Sequence, residues 1–496
     1  MQTNLLFRDL GALTLTVTAC CASAAPKSVK ANPDKMNVIY ILADDLGYGD
    51  LGCTGQRKFT TPNIDRLRAE GMLFTNHYSG STVSAPSRSC LMTGQHTGHT
   101  FIRGNAPAIK KALSREGQYP LPGDTYTLAR MFKEAGYATG AFGKWGLGYP
   151  GSEGDPSRLG FDRFFGYNCQ VEAHRYYPKH LWDNLEKVVL TENLPYNQTV
   201  YAPDRIHAEA LRFIREHRED PFFLYLPVIL PHAELLAPDD ELLEKYRGCF
   251  EEVPYPAATP KAPYGPNMGT ASYCPQPEPY ATFAAMVSRI DKYVGEIVAE
   301  LKRQGLDKNT VIFFTSDNGP HREGGACPDY FDSYGPFRGI KRDLYEGGIR
   351  LPLIAWAPGM IAPSSTSEHI CAFWDMLPTF AELVGIDIAG RTICDGISML
   401  PALTGRGRQR QHDFLYWEFY EMGGRIAVRS GKWKGILLDV ATPEKQTFEL
   451  YDLSRDIHED HNVAERYPHV VARLKRLMHK AHTPSELFVF HPEKKR

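Results

Sequence analysis

The stretch NVIYILADD, residues 37–45, is a continuous apolar run that ends in two aspartates. A run of this length predicts a strand buried on both faces, as in the interior of a parallel or mixed sheet. Similar apolar runs lie at 138–142, 222–230, 311–314 and 351–356, and helices are predicted at 61–70, 126–135, 281–304 and 375–384. Strands that alternate with helices predict an α/β fold, in which helices sandwich a large mixed sheet.

The length of the chain predicts more than one domain. With 496 residues, of which 43% are hydrophobic and 23% charged, the chain exceeds the usual size of a single hydrophobic core. We predict a main domain at 35–404. A basic segment then opens a smaller C-terminal α+β domain at 405–496, in which short antiparallel strands precede a helix at 465–481.

Composition argues against two classes of function. The 56 Lys and Arg residues nearly balance the 58 Asp and Glu residues, for a formal net charge of −2. Without a basic excess the chain lacks the charge pattern of a general DNA or RNA binder, so no nucleic-acid partner is expected. The ten cysteines include no C-x-x-C pair, which leaves a zinc or redox cluster without local support. The sequence does not reveal which cysteines pair, if any do.

The N-terminus has the pattern of an export signal. An apolar block follows Arg8, and Ala22 and Ala24 have the spacing of a signal-peptidase site. Residues 1–24 are therefore predicted to be a signal peptide, and the mature protein to be periplasmic or on the cell surface. An alternative is a lipoprotein signal that ends before Cys20, in which case Cys20 carries a lipid anchor.

Carboxylates follow two of the predicted strands. Asp44 and Asp45 end the first run, and Asp317 and Asn318 follow the run at 311–314. Since chemistry in such sheets gathers beyond the carboxyl ends of the strands, the two pairs can converge on one hard cation. Three carboxylates and one amide oxygen suit Ca²⁺ or Mg²⁺, and these ligands do not choose between the two ions.

A third cluster carries a family resemblance. The segment SAPSRSCLMTG, residues 84–94, fits the frame S-x-P-S-R-x-x-x-[LM]-T-G, which resembles the signature of the sulfatase family. The resemblance implies that Ser84 is oxidised to formylglycine before use, by an anaerobic sulfatase-maturating enzyme. It implies hydrolysis of sulfate esters: one hydroxyl of the hydrated formylglycine attacks sulfur, and the second later expels sulfate. It also implies an alkaline-phosphatase-like α/β sandwich with a small C-terminal antiparallel sheet.

Further residues gain roles from the same resemblance. Arg88 and Lys144 would stabilise the formylglycine, Lys341 and His232 would hold the sulfate, and His232 would protonate the leaving oxygen. The metal would be Ca²⁺. Its ligands would be the residues Asp44, Asp45, Ser84, Asp317 and Asn318.

One position departs from the family. Many members have a His two residues after the lysine, where this chain has Gly146. That His assists removal of a formylglycine proton, so another group must do this work or the last step differs. We expect His174 and Gln170, which follow this region, to enter the pocket, and His321 and Arg322 to contact substrate. The expected substrate is a sulfated glycan or sugar, and the sequence does not identify the sugar or the sulfated position.

Two other functions remain to be weighed. A phosphatase or phosphodiesterase of the same superfamily would use Ser84 itself as nucleophile, but two-zinc members often have an Asp-His pair where this chain has Asp317 and Asn318. A glycan-binding homologue without catalysis is the second alternative, and Gly146 is the feature in its favour. The chain has the complete set of candidate metal ligands and cationic residues, and this favours an enzyme over a binding protein without catalysis.

Overall fold

The computed structural model describes residues 35–105, 117–256 and 273–490. The predicted signal segment and Cys20 lie outside the described residues. No helix in the described ranges is both long enough and apolar enough to span a membrane. The cysteines of the same ranges form no disulfide with one another.

The larger sheet has eleven strands. Their bounds are β1 Asn37–Ala43, β2 Met72–Tyr78, β3 Ala138–Lys144, β4 Arg163–Tyr167, β5 His180–Asp183, β6 Glu186–Val189, β7 Phe222–Pro227, β8 Thr310–Ser316, β9 Arg350–Trp356, β10 Ser365–Ser367 and β11 Cys371–Ala372. The strand order is β10-β2-β9-β8-β1-β7-β3-β4-β5-β6, and β11 pairs with β2 beside this path. The central neighbours β8, β1, β7, β3 and β4 run parallel, whereas β9, β5 and β6 pair antiparallel to their neighbours. The sheet is therefore mixed, as the sequence predicts.

Helices cover both faces of this sheet. The α-helices are α1 Pro62–Ala69, α2 Ser84–Thr93, α3 Leu128–Glu134, α4 Ala202–Glu216, α5 Glu241–Glu244, α6 Pro279–Gln304, α7 Pro328–Phe331, α8 Glu346–Ile349, α9 Met376–Val384, α10 Leu400–Thr404 and α11 Pro468–Ala481. Short 3₁₀ helices lie at Tyr48–Asp50, Gly52–Thr54, Glu172–His174, Thr191–Asn193, Asp307–Asn309, Phe373–Asp375 and Pro443–Lys445.

Strand β1 shows why the apolar run has no polar alternation. Ile39 and Ile41 pack on one face of the sheet, in a core that includes residues of α4 and α6. Tyr40 and Leu42 pack on the opposite face, in a core that includes residues of α3 and α9. A strand buried on both faces needs apolar side chains at every position.

The C-terminal part of the chain forms a second, four-stranded sheet. Its strands are β12 Leu415–Phe419, β13 Arg425–Ser430, β14 Trp433–Leu438 and β15 Thr447–Asp452, all antiparallel and in sequence order. One face packs on the main domain through Trp417 and Ile436, and the other packs on α11 through Val428 and Leu474. The predicted boundary after residue 404 stays a prediction.

Several elements differ from the sequence-based expectation. Strand β7 ends at Pro227 rather than at residue 230. Elements not predicted include β2, the short strands β4, β5 and β6, and helix α4. Strands β5 and β6 lie at the edge of the sheet and have no long apolar run, because much of their surface faces solvent.

Candidate active site

The carboxyl ends of four adjacent strands meet at one edge of the sheet. Strands β8, β1, β7 and β3 are neighbours and run parallel, so the residues that follow them converge. These residues are Asp317 and Asn318 after β8, Asp44 and Asp45 after β1, His232 in the loop after β7, and Lys144 at the end of β3. Helix α2 contributes Ser84 and Arg88, and the loop before α8 contributes Lys341.

Ser84 lies at the start of α2, in which all ten residues are buried. Its side chain is surrounded by charged groups, and the residue is only 2% exposed. The Ser84 hydroxyl donates to Asp44 Oδ1 at 3.0 Å. Lys144 Nζ donates to Asp44 Oδ2 at 2.7 Å and to Ser84 Oγ at 3.4 Å. The hydroxyl is thus held between a carboxylate and an ammonium group.

Arg88 fastens this helix to the sheet. It lies one helical turn after Ser84, on the same face of α2. Its Nε and Nη2 donate to Asp317 Oδ2 at 3.1 and 2.8 Å, and its Nη1 donates to the carbonyl of Lys144 at 2.7 Å. Burial and the neighbouring Asp44 raise the pKa of Asp317 to about 6, although Arg88 opposes this shift. The guanidinium therefore links the ends of β8 and β3 to the helix of Ser84.

The oxygen atoms of four residues form a set suited to a hard divalent cation. The backbone N–H of Asp45 donates to Asp317 Oδ1 at 3.1 Å, and Asn318 Nδ2 donates to Asp45 Oδ1 at 2.6 Å. Asn318 Oδ1 is buried and has no hydrogen-bond partner among the described residues. A buried acceptor without a donor is unusual, and a cation would satisfy it.

The charge state of Asp44 supports the same interpretation. Burial alone would raise the pKa of Asp44, but Lys144, His232 and Arg88 outweigh burial and hold this pKa well below its usual range. The carboxylate is therefore ionised and available as a ligand. The residues present fit a hard cation at this place, and the identity of the ion is not fixed by these atoms.

Lys341 is the centre of a second charged group. Its Nζ donates to Asp45 Oδ2 at 2.8 Å, to His232 Nε2 at 3.0 Å and to Glu323 Oε2 at 3.1 Å. Burial lowers the pKa of Lys341, but Asp45 and Glu323 outweigh burial, and the net pKa lies above its usual value. The ammonium group of Lys341 is therefore charged, and it faces the carboxylates that are the candidate metal ligands.

His232 has a defined tautomer in this arrangement. Its Nδ1–H donates to the carbonyl of Ala233, which leaves Nε2 to accept from Lys341. Burial and the neighbouring Lys341 lower the pKa of His232 to about 4. The atom that faces the other charged groups is therefore Nε2.

Three imidazole rings form a stack around His232. The ring centroids of His174 and His232 lie 4.8 Å apart, with an angle of 10° between the ring planes. The ring centroids of His321 and His232 lie 5.6 Å apart, with an angle of 21° between the planes. His321 uses both nitrogens inside the protein, since Nδ1 accepts from the backbone of Glu323 and Nε2 donates to the carbonyl of Pro231. The ring of His174 has no hydrogen bond to any described residue. Burial and His232 hold the pKa of His174 well below its usual value, which favours a neutral ring.

Gln170 occupies the space next to Gly146. A Cβ atom on Gly146 would lie 2.1 Å from Gln170 Nε2, and the φ angle of Gly146 is +78°. Gln170 Nε2 is buried and unpartnered among the described residues. The amide of Gln170 therefore stands where a larger side chain at position 146 would begin.

The predicted substrate residue Arg322 lies apart from this cluster. Its side chain is exposed and forms an ion pair with Asp329 at 2.6 Å. The sequence also suggests Glu323 as a pocket residue, and Glu323 lies beside Lys341. Sequence reasoning did not select Arg342, which pairs with Glu323. Its position directly after Lys341 was the available signal, but residue type alone did not distinguish it from a surface charge.

Comparison with known proteins decides the family. The sequence model of the Sulfatase family matches residues 36–386, and that of the N-sulphoglucosamine sulphohydrolase C-terminal region matches residues 334–483. The first match covers more than half of the chain. The chain belongs to the sulfatase family. It is a sulfuric ester hydrolase, and the mixed sheet with its flanking helices is the α/β fold of this family.

Relatives and solved structures agree with this assignment. The chain is 31% identical to the mouse (Mus musculus) N-acetylgalactosamine-6-sulfatase over 418 residues, which cover 82% of this chain and 72% of the relative. It is 29% identical to the N-acetylgalactosamine-6-O-sulfatase of Bacteroides thetaiotaomicron over 538 aligned positions, covering 93% and 96%. The crystal structure of Ps i-CgsB in complex with k-i-k-neocarrahexaose aligns with a TM-score of 0.75 and 27% identity, covering 93% of this chain and 95% of that chain.

Proposed function

We propose that this sulfatase removes sulfate from a sulfated carbohydrate by means of a formylglycine derived from Ser84. The observation that carries this proposal is the position of the Ser84 hydroxyl, which contacts both Asp44 and Lys144 at the edge of the oxygen-rich pocket. A hydroxyl in this place lies next to the groups that would hold a sulfate ester.

The proposed formylglycine and divalent cation would supply two kinds of chemistry. The formylglycine would supply hydroxyl groups for attack on sulfur, and the divalent cation, proposed to be Ca²⁺ with Mg²⁺ as the alternative, would orient a sulfate oxygen and favour ionisation of the attacking hydroxyl. Its proposed ligands are Asp44, Asp45, Asp317, Asn318 and residue 84. The unpartnered Asn318 Oδ1 supports this set.

Positively charged residues would orient the two reacting groups. Lys144 and Arg88 hold residue 84 against the sheet, through the contacts of Lys144 with Asp44 and of Arg88 with Asp317. Lys341 and His232 lie on the other side of the carboxylates, where they would contact sulfate oxygens. Charge concentrates on the non-bridging oxygens during transfer, so fixed cations stabilise the transition state more than the ground state.

His232 would pass a proton to the leaving oxygen from Nε2, and that proton would come from the ammonium group of Lys341, which donates to Nε2 at 3.0 Å. The hydrogen bond from Nδ1 to the carbonyl of Ala233 fixes the ring so that Nε2 faces the pocket. The stacked rings of His174 and His321 limit rotation of His232. A positioned imidazole of this kind contributes roughly 10²–10⁴-fold to a rate.

His174 and Gln170 are proposed to contact the substrate or residue 84 in place of the family His. The lowered pKa of His174 favours a neutral ring, and this ring has no hydrogen-bond partner among the described residues. Gln170 Nε2 likewise has no hydrogen-bond partner in the described ranges. Gln170 Nε2 lies in the space that a side chain at position 146 would enter. His321 and Arg322 remain proposed substrate contacts, although His321 already uses both ring nitrogens and Arg322 pairs with Asp329.

The names of the relatives support a carbohydrate substrate. Two relatives are named as sulfatases of N-acetylgalactosamine, and a structural neighbour was solved with a neocarrahexaose. We therefore propose a sulfated sugar or glycan as substrate, with an anaerobic maturating enzyme as the partner that oxidises Ser84.

The test combines mass spectrometry with kinetics. Protein made together with a maturating enzyme is digested, and the peptide that contains Ser84 is expected to have lost two hydrogens relative to serine. The same preparation is assayed on a panel of position-defined sulfated sugars and on one matched pair of sulfate and phosphate esters. An active preparation with unmodified serine would refute the formylglycine, and preference for the phosphate ester would favour the phosphatase alternative.

Variants separate the proposed roles. His174→Ala is expected to reduce turnover or substrate affinity, and His207→Ala is a control because His207 pairs with Glu296 on the far helices α4 and α6. If His174→Ala behaves like the control in both kcat and KM, His174 has no role in this site.

We also propose that the protein is exported to the periplasm or cell surface. The apolar block and the Ala22-x-Ala24 spacing support this proposal. N-terminal sequencing of the protein recovered from its native host would show a start after residue 24, or a lipid on Cys20. An intact Met1 on the recovered protein would contradict both forms of export.

A further inference from the structure

A line of alternating charges leads out of the active site. Lys341 Nζ lies 2.8 Å from Asp45 Oδ2 and 3.1 Å from Glu323 Oε2, and Arg342 Nη1 lies 2.7 Å from Glu323 Oε1. The side chains become more exposed along this line, from 5% for Lys341 to 20% for Glu323 and 39% for Arg342. Glu323 and Arg342 therefore lie between solvent and the buried groups proposed to hold sulfate.

The backbone of Arg342 is fixed in an uncommon conformation. Its φ angle is +77°, a left-handed value that is unfavourable for a residue with a side chain. The N–H of Arg342 donates to the carbonyl of Thr82 at 3.2 Å, and its carbonyl accepts from Arg425 Nη1 at 2.8 Å. Such conformations persist where surrounding contacts hold them, and they are frequent at ligand clamps. The backbone of Arg342 is therefore held in place by hydrogen bonds at both its N–H and its carbonyl.

The guanidinium of Arg342 has only a few of its donors engaged by the described residues. A guanidinium carries five N–H groups. Within the described residues, the structure gives the Arg342 side chain one polar partner, Glu323 Oε1. A ligand oxygen placed beside the Glu323 carboxylate would accept from the other N–H groups, which have no partner among the described residues.

We infer that Glu323 and Arg342 form a subsite that binds two neighbouring hydroxyl groups of the sugar that carries the sulfate. This inference rests on the proposed carbohydrate sulfatase function. A carboxylate accepts from one hydroxyl, and a guanidinium beside it donates to the oxygen of the other. An additional anionic group of the substrate fits less well, because the carboxylate of Glu323 repels it and already offsets the charge of Arg342.

Substrate analogues and one variant test the inference. The wild type and Arg342→Gln are assayed on a sulfated monosaccharide, on deoxy analogues that lack one hydroxyl near the sulfated carbon, and on an aryl sulfate. A site built to bind a hydroxyl discriminates strongly against the analogue without it. We expect kcat/KM of the wild type to fall at least tenfold for one deoxy analogue, and the ratio of kcat/KM for the sugar to that for the aryl sulfate to fall at least tenfold in Arg342→Gln.

The decisive quantity is the coupling between the variant and the missing hydroxyl. In Arg342→Gln, removal of the same hydroxyl is expected to change kcat/KM by less than about threefold, since the partner of that hydroxyl is gone. Equal deoxy effects in wild type and variant would overturn the inference. So would a wild-type preference for a uronate-containing or doubly sulfated sugar that Arg342→Gln removes, because the bound group would then be an anion.

Controls separate a local from a general effect. Arg391→Gln removes a guanidinium of similar exposure, 41%, which pairs with Glu134 away from the site, and it should leave the ratio of sugar to aryl kcat/KM unchanged. Arg342→Lys keeps the charge but loses the planar fork, so its ratio should fall as in Arg342→Gln. If the wild type hydrolyses no sulfated sugar at all, the proposed function fails; if it does and the coupling is absent, only the subsite fails.

Discussion

Lys434 gives the sharpest test of how the C-terminal sheet is attached to the main domain. Its ammonium group is fully buried and lies 2.8 Å from Glu346 Oε1 and 3.0 Å from Glu459 Oε1. Glu346 has further partners, because Tyr78 donates to it at 2.6 Å and Arg350 lies 3.0 Å away. Glu459 has no second cation within ion-pair distance among the described residues. In Lys434→Met the apolar side chain keeps much of the volume but leaves Glu459 as a buried, uncompensated carboxylate.

The expected loss of folding stability in Lys434→Met follows from the loss of the positive charge beside Glu459. Removal of one partner from a buried ion pair destabilises proteins by about 3–5 kcal/mol. Burial already raises the pKa of Glu459 to about 7, although Lys434 opposes the shift. Without Lys434 this pKa rises further. The folded state then holds a proton that the unfolded state releases, so stability falls as pH rises, and this fall continues above pH 7 in the variant. Between pH 7 and 8.5 the additional loss is up to about 2 kcal/mol.

Urea denaturation at pH 5.5, 7 and 8.5 measures both quantities. Lys432→Met is the matched control, since Lys432 lies on the same hairpin but is exposed and pairs with Asp452 at 2.7 Å. Its effect should stay within about 1 kcal/mol, as for surface ion pairs. A loss below 1 kcal/mol for Lys434→Met, or a loss that does not depend on pH, would refute the reasoning. Glu459→Gln in the Lys434→Met background should recover part of the stability at pH 8.5.

Three further predictions address the active site and its surroundings. In Asn318→Ala the dissociation constant for Ca²⁺ should rise at least tenfold, which corresponds to about 1.4 kcal/mol of binding free energy. Calorimetric titration measures this constant, and an unchanged affinity would show that Asn318 is not a ligand. Gly146→Ala should destabilise the fold more than Gly151→Ala in urea denaturation: both glycines have φ near +78°, but only at 146 would the Cβ meet Gln170, so equal losses would contradict the described packing. Burial raises the pKa of Asp50 to about 7, so stability should fall as pH rises from about 4 to 7 by up to about 4 kcal/mol. Asp50→Asn should flatten that slope, and an unchanged slope in urea titrations would contradict the assignment.

The buried strands and their terminal carboxylates were predictable from sequence. The run at 37–43 is apolar at every position, and the structure places β1 at these residues. Asp44 and Asp317 follow strands that pair in parallel, so their approach follows from topology alone. The signature at 84–94 was sufficient to suggest the family from sequence. Several residue types at fixed spacing are specific to a family, whereas each residue alone is not.

Other features needed the folded chain. Strand β2 was missed because Thr75 and Asn76 interrupt its apolar pattern at an irregular register with β9. Helix α4 is an exception, since the helical spacing of Ile206, Ala210 and Phe213 is readable from the sequence. The left-handed backbone of Arg342 depends on contacts with residues far away in sequence, which no local pattern reveals.

The burial of α2 also constrains when the chain can be modified. Ser84 lies on a helix whose every residue is packed inside the protein, so another enzyme has no route to its hydroxyl after folding. The proposed oxidation of Ser84 would therefore have to precede the closure of this core, while the segment is still extended and accessible. Each molecule would then receive one opportunity, and a chain that folds too early would keep an ordinary alcohol for its lifetime. On this proposal the yield of active enzyme depends on the relative rates of folding and maturation, and slower folding would favour activity.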